Sequence, residues 1–107
     1  MEIKVTVIKR MIGQFETDIR SGTDNLPTKF ERSSARKELL ELGRLTLNLI
    51  AEHVERKYLD KTLTHADEDV VWAWKDVLYE ILTQPPPIDE NDLRRWINAC
   101  RVEAPHT

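Results

Sequence analysis

Three histidines, one cysteine and several clustered arginines are the groups in this sequence whose chemistry has to be placed first. His53 stands in the run EHVERK, His65 at an expected helix start and His106 near the C-terminus. A helical metal site needs a second histidine or a carboxylate one turn away, facing the same ion, and a di-iron bundle needs Glu-x-x-His pairs. Neither pattern is present, so no metal is expected, and His65 and His106 read as solvated side chains. Cys100 shares an apolar face with Trp96 and Ile97 and reads as a small core hydrophobe, because a reactive thiolate wants an exposed, cationic setting. Being the single cysteine, it excludes an internal disulfide and a multi-cysteine zinc site. There is no glycine-rich phosphate loop and no nucleophile elbow. An enzyme built on carboxylates such as Glu52 and Glu55 is the weakest of three readings, and neither catalysis nor a cofactor is expected.

Two further groupings point to recognition. Arg94, Arg95, Asn98 and Arg101 share one face of an expected C-terminal helix, and arginine reads guanine edges and contacts phosphate. A triproline spacer precedes that helix where a helix-turn-helix would have a short turn, and residues 66–92 beside it carry eight acids against one lysine, so a solvated face is the plainer reading. Lys29, Arg32, Arg36 and Lys37 form a second basic cluster, interrupted by Glu31. The sharper signal is Trp72 and Trp74. Two positions on a helix are about 200° of rotation, so if Trp74 faces the core with Val70, Val77 and Ile81, Trp72 must point away. Tyr79 falls on Trp72's side with Asp76 between them, which makes a polar face carrying two aromatics of the kinds enriched at interface hot spots. Ile3, Val7 and Met11 line a comparable second stripe on the first helix.

The elements that carry these residues follow from periodicity. Val5, Ile8, Ile12, Phe15 and Ile19 recur at intervals of 3 and 4, which favours a helix over Glu2–Ser21, although Ile3, Val5 and Val7 also alternate like a strand. A lone strand would have no partner in this chain. SGTDNLP reads as a loop, with Gly22 a C-cap and Pro27 a stop. A second helix starts between Thr28 and Ser34, with Ser33 or Ser34 as N-cap, and runs to about Tyr58. Its stripe is Leu40, Leu47, Ile50 and Val54; Leu42, Leu45 and Leu49 lie on the opposite side, so it should be the central helix. Gly43 inside it costs about 1 kcal/mol relative to alanine and predicts a close approach by another helix. After LDKTLT, Thr64 or His65 starts a third helix with Asp67, Glu68 and Asp69 in its first turn. QPPPID ends it. Asp89 caps a fourth helix from Glu90 to about Val102, whose core face is Leu93, Trp96, Ile97 and Cys100.

Composition sets the frame. At 107 residues, one domain spanning 1–107 is expected, and 40% hydrophobic with 33% charged residues is too apolar for a disordered tail and too polar for membrane spans. Three glycines and no Asn-Gly or Asp-Gly pair disfavour a hairpin-rich fold. The net charge of −3 is the wrong sign for a domain that holds nucleic acid through an overall positive field. MEIKVTVIKRM lacks the apolar core and cleavage site of a signal peptide, which with the single cysteine favours a cytoplasmic protein. The expected fold is all-α: a compact antiparallel helical bundle of three long helices plus a short C-terminal helix across one end. Surplus apolar stripes predict a homodimer. The expected function is a non-enzymatic interaction protein, a small adaptor, inhibitor or regulatory subunit acting through a helical surface. The alternative is a nucleic-acid-binding regulator using the C-terminal helix or the Lys29–Lys37 cluster.

Overall fold

A computed structural model describes residues 5–82 and 92–104, whose regular elements are all helices with no strand among them. The elements are α1 (Val5–Arg20), α2 (Leu26–Arg32), α3 (Ser34–Leu42), a 3-10 turn (Gly43–Thr46), α4 (Leu47–Tyr58), α5 (His65–Leu82) and α6 (Asp92–Glu103). Residues 5–9 are helical, as the heptad requires; Ile3, Asp89 and the triproline lie outside the described residues. Ile8, Ile12, Phe15 and Ile19 are buried, but Val5 is exposed, so the core face of α1 begins one turn later than its apolar spacing.

The expected long second helix is divided into α2, α3, the 3-10 turn and α4, and two residues make the breaks. Ser33 sits in an extended conformation, φ −75° and ψ 110°. Its backbone N–H closes α2 on the carbonyls of Lys29 and Phe30, and its Oγ accepts from Arg36 N at 3.2 Å to open α3. The same hydroxyl donates to Asp18 Oδ2 at 2.7 Å, which fixes the corner against α1. Gly43 adopts φ 55° and ψ −127°, and a Cβ built there meets nothing within 4 Å. The expected close approach of another helix is therefore not the reason for this glycine; the backbone turn is. Pro27 also reverses its expected part. It occupies the first turn of α2, where a missing N–H costs nothing, and so starts a helix that Asn25 caps by accepting from Thr28 N at 3.0 Å.

Thr64 and Asp67 form a reciprocal cap at the head of α5, each side chain accepting from the other's backbone N–H at 3.1 Å. Val70, Trp74 and Val77 are buried as the spacing requires and Ile81 is partly so, joined by Val71, Ala73, Leu78 and Leu82. α5, not the second segment, is the central helix, since it packs against every other element. α6 does not lie across an end. Arg94 pairs with Asp60 beyond the C-terminus of α4, Arg101 with Glu55, and Glu103 with Arg44 ahead of α4, an order that runs α6 antiparallel along α4. Trp96, Ile97 and Cys100 fill that seam.

Candidate functional site

The outward face of α5 is where the expected interaction residues come together. Trp74 is fully buried and Trp72 is 60% exposed, with Tyr79 at 43% on the same side. Leu26, Pro27 and Phe30 of α2 stand opposite, and together with Trp72, Lys75, Asp76 and Tyr79 they enclose an open hollow of about 370 Å³. The break at Ser33 makes this wall possible. α2 is seven residues long with none fully buried, so its apolar side chains are free to flank α5 instead of entering the core. Lys29 anchors it by donating to the Ile19 carbonyl at 2.8 Å.

A second hollow of about 240 Å³ lies on the other side of Trp72, between Leu63, Glu68, Val71 and Leu93. Trp72 is thus a ridge between two depressions, and Lys75 lies over its ring with Nζ 5.4 Å from the centroid. Asp76 is held by Arg36 at 2.7 Å, and the Arg36 guanidinium sits 5.6 Å from the centre of the Phe30 ring. This ties the floor of the groove to α3. Glu68 lines the second hollow, and Asp69 and Glu80 are exposed on the same helix outside both hollows.

The other expected surface residues fall elsewhere. Val7 is exposed and Met11 is half-buried against the core, and neither lines these hollows. Of the second surplus stripe, Leu42 and Leu49 also pack partly against the core, leaving Leu45 exposed at 52%. On α6, Arg94 bonds Asp60 at 2.8 Å and Arg101 grips both oxygens of Glu55 at 2.8 and 2.9 Å, while Arg95 and Asn98 are exposed. Arg101 holds the Glu55 carboxyl below its ordinary range. In the Lys29–Lys37 cluster, Arg32 pairs with Asp24 and Arg36 with Asp76. Much of each basic surface is therefore neutralised within the chain. Cys100 is fully buried and its thiol is pushed up to about 12 by burial, which keeps it protonated.

The most densely bonded group is one the sequence reading passed over. Glu16 is buried in α1, and its Oε2 accepts from Tyr58 at 2.7 Å, from Trp74 Nε1 at 2.8 Å and from His53 Nε2 at 2.9 Å. Its Oε1 accepts from Lys57 Nζ at 2.8 Å. Burial alone would push this carboxyl up, but His53, Lys57, Trp74 and Tyr58 together outweigh it and lower it to about 2. Tyr58 in turn accepts from Arg20 at 3.1 Å, and its hydroxyl is raised by burial and by Glu16. The network links α1, α4 and α5. With its oxygens saturated by donors from the chain itself, the carboxylate is a structural clasp. A signal was present: Glu16 lies one turn beyond Ile12 and one before Ile19, on the apolar stripe where a carboxylate needs partners. Among the described residues no group of three or more His, Cys, Asp or Glu is placed to hold a metal ion, and no helix is long and apolar enough to cross a membrane. Compared with family models, with curated proteins and with solved structures, the chain matches none.

Proposed function

We propose that this chain is a non-enzymatic interaction protein, a small cytoplasmic adaptor, inhibitor or regulatory subunit that docks another protein in the α2/α5 groove. The observation that carries the reading is the Trp72 ridge: a large aromatic more than half exposed, flanked by two hollows and joined by Tyr79. Exposed indole surface is costly in water and is the side chain most enriched among binding hot spots. A groove between two helices accepts an amphipathic helix whose apolar side chains enter the hollows on either side of the ridge. Glu68 beside the second hollow, with Asp69 and Glu80 exposed on the same helix, favours a partner carrying basic residues around its apolar face, which would speed encounter more than it would tighten the complex.

A second copy of the chain is the rival occupant of the same face. The homodimer expected from surplus stripes loses support where Met11, Leu42 and Leu49 pack inward, and keeps it at Val7, Leu45 and Trp72. The nucleic-acid reading is weaker, because Arg94 and Arg101 are already engaged by carboxylates.

The test compares wild-type protein with Trp72→Ala and Tyr79→Ala in affinity capture from source lysate, beside sedimentation of each purified chain. A protein held by wild type and lost by both variants supports the reading. A dimer broken by Trp72→Ala replaces the partner with a second copy. Binding to duplex DNA that falls steeply with salt, and survives Trp72→Ala, would overturn it in favour of the alternative.

A further inference from the structure

Gly13 occupies the middle of α1, where glycine costs about 1 kcal/mol relative to alanine. The backbone does not demand it, since the described glycines with positive φ are Gly22 and Gly43. Crowding does not demand it either, because a Cβ added at Gly13 meets nothing within 4 Å. What lies against it is a hollow of about 150 Å³ between α1 and α4, with Lys9, Glu52, His53 and Arg56 in its walls. A glycine that no neighbour requires, beside an empty space lined by basic groups, marks close approach of something the chain itself does not supply.

His53 gives the hollow a fixed polar group. Its Nε2 carries the proton donated to Glu16, whose oxygens only accept, so the ring is pinned at the wall of the hollow. The rings of Tyr58 and Trp74 meet its own edge-on with centroids 6.3 and 6.1 Å away, and Lys57 balances Glu16 from behind. Toward the hollow, Lys9 and Arg56 supply two positive charges from facing helices and Glu52 supplies one negative. Lys9 and Arg56 outweigh Glu52, so the balance is positive and suits an anion. The volume is well below the roughly 300 Å³ at which drug-sized ligands begin to fit.

We propose that this hollow binds one tetrahedral oxyanion, a phosphate either free or as the phosphoryl group of a small metabolite. Lys9 and Arg56 clamp it, and Gly13 lets it lie against the helix surface. The site is independent of the α2/α5 groove.

Titration of the full chain with inorganic phosphate, and in parallel with glycerol 3-phosphate, followed by calorimetry and thermal melting, tests this. Gly13→Ala should raise the melting temperature in phosphate-free buffer by about 4 °C, through helix propensity, and weaken phosphate binding about tenfold or more. Lys9→Gln and Arg56→Gln should weaken binding similarly with little change in phosphate-free melting, and Glu52→Gln should tighten it severalfold. Tighter binding of the inorganic ion assigns the site to the free anion; tighter binding of the monoester assigns it to a phosphorylated metabolite. The proposal is overturned if Gly13→Ala binds phosphate as wild type does. It is equally overturned if phosphate raises the melting temperature of wild type and of the Lys9→Gln/Arg56→Gln double variant alike, which is the general effect of an excluded salt.

Discussion

The indole N–H of Trp74 donates to Glu16 Oε2 at 2.8 Å across 58 positions of sequence, joining the centre of α5 to the buried face of α1. Phe15, next to Glu16, meets the same indole edge-on with ring centroids 4.8 Å apart, so one tryptophan is held by both packing and a charge-assisted bond. Glu16→Gln removes the charge and places an amide N–H₂ among donors that need an acceptor. A loss of roughly 3 kcal/mol at pH 7, measured by urea unfolding, is expected.

The same group sets an acid limit. Its carboxyl lies at about 2 in the folded chain against an ordinary value of 4.5, so it binds protons less readily when folded. Its stabilisation is complete above pH 4.5 and is lost as the pH falls toward 2, on the order of 3 kcal/mol over that window. Unfolding of wild type and Glu16→Gln across pH 7 to 2 should show a gap that stays constant down to about pH 5 and then closes. A gap that is flat to pH 2 would mean that the donors do not hold the charge.

Gly43 and Ser33 make the breaks that create α2, and both should be sensitive. Gly43→Ala forces a Cβ into a left-handed backbone region and should cost about 1–3 kcal/mol, the opposite sign to Gly13→Ala. Ser33→Ala removes a helix cap and the bond to Asp18 together and should cost about 1–2 kcal/mol. Denaturation midpoints of the two variants check this. Ser33→Ala should also loosen α2, read as faster amide exchange at Phe30 and its neighbours.

The Arg101–Glu55 pair is bidentate but exposed, so solvent screens it and it adds little to stability. Its more informative effect is on nucleic-acid contact. Glu55→Gln frees Arg101 and should raise any weak DNA affinity above that of wild type; the two are compared by fluorescence anisotropy at low salt.

The parts of the fold written in local periodicity were legible: Ile8, Ile12, Phe15 and Ile19 on α1, Val70, Trp74 and Val77 on α5, and the opposed directions of Trp72 and Trp74. The breaks at Ser33 and Gly43 were not. Helix propensity runs on through both positions, and Ser33 turns the chain with help from Asp18, which lies on another helix. Glu16 was missed for a related reason. A single carboxylate in a heptad reads as an edge residue until its donors are known, and they come from positions 37 to 58 residues away. On the groove, Trp72, Asp76 and Tyr79 were legible because one helix carries them, whereas Leu26, Pro27 and Phe30 required knowing that α2 folds back against α5.

In the proposed docking mode Trp72 serves a partner and Trp74 serves the fold, and the most direct measurement is the effect of Trp72→Ala on partner affinity with unfolding free energy as its control. Trp74→Ala should cost about 3–5 kcal/mol of stability as a core cavity. Trp72→Ala should leave stability within about 1 kcal/mol of wild type while weakening the partner by about 2 kcal/mol or more. If Trp72→Ala destabilises the isolated chain as much as Trp74→Ala, or leaves partner affinity unchanged, the ridge is not a docking surface.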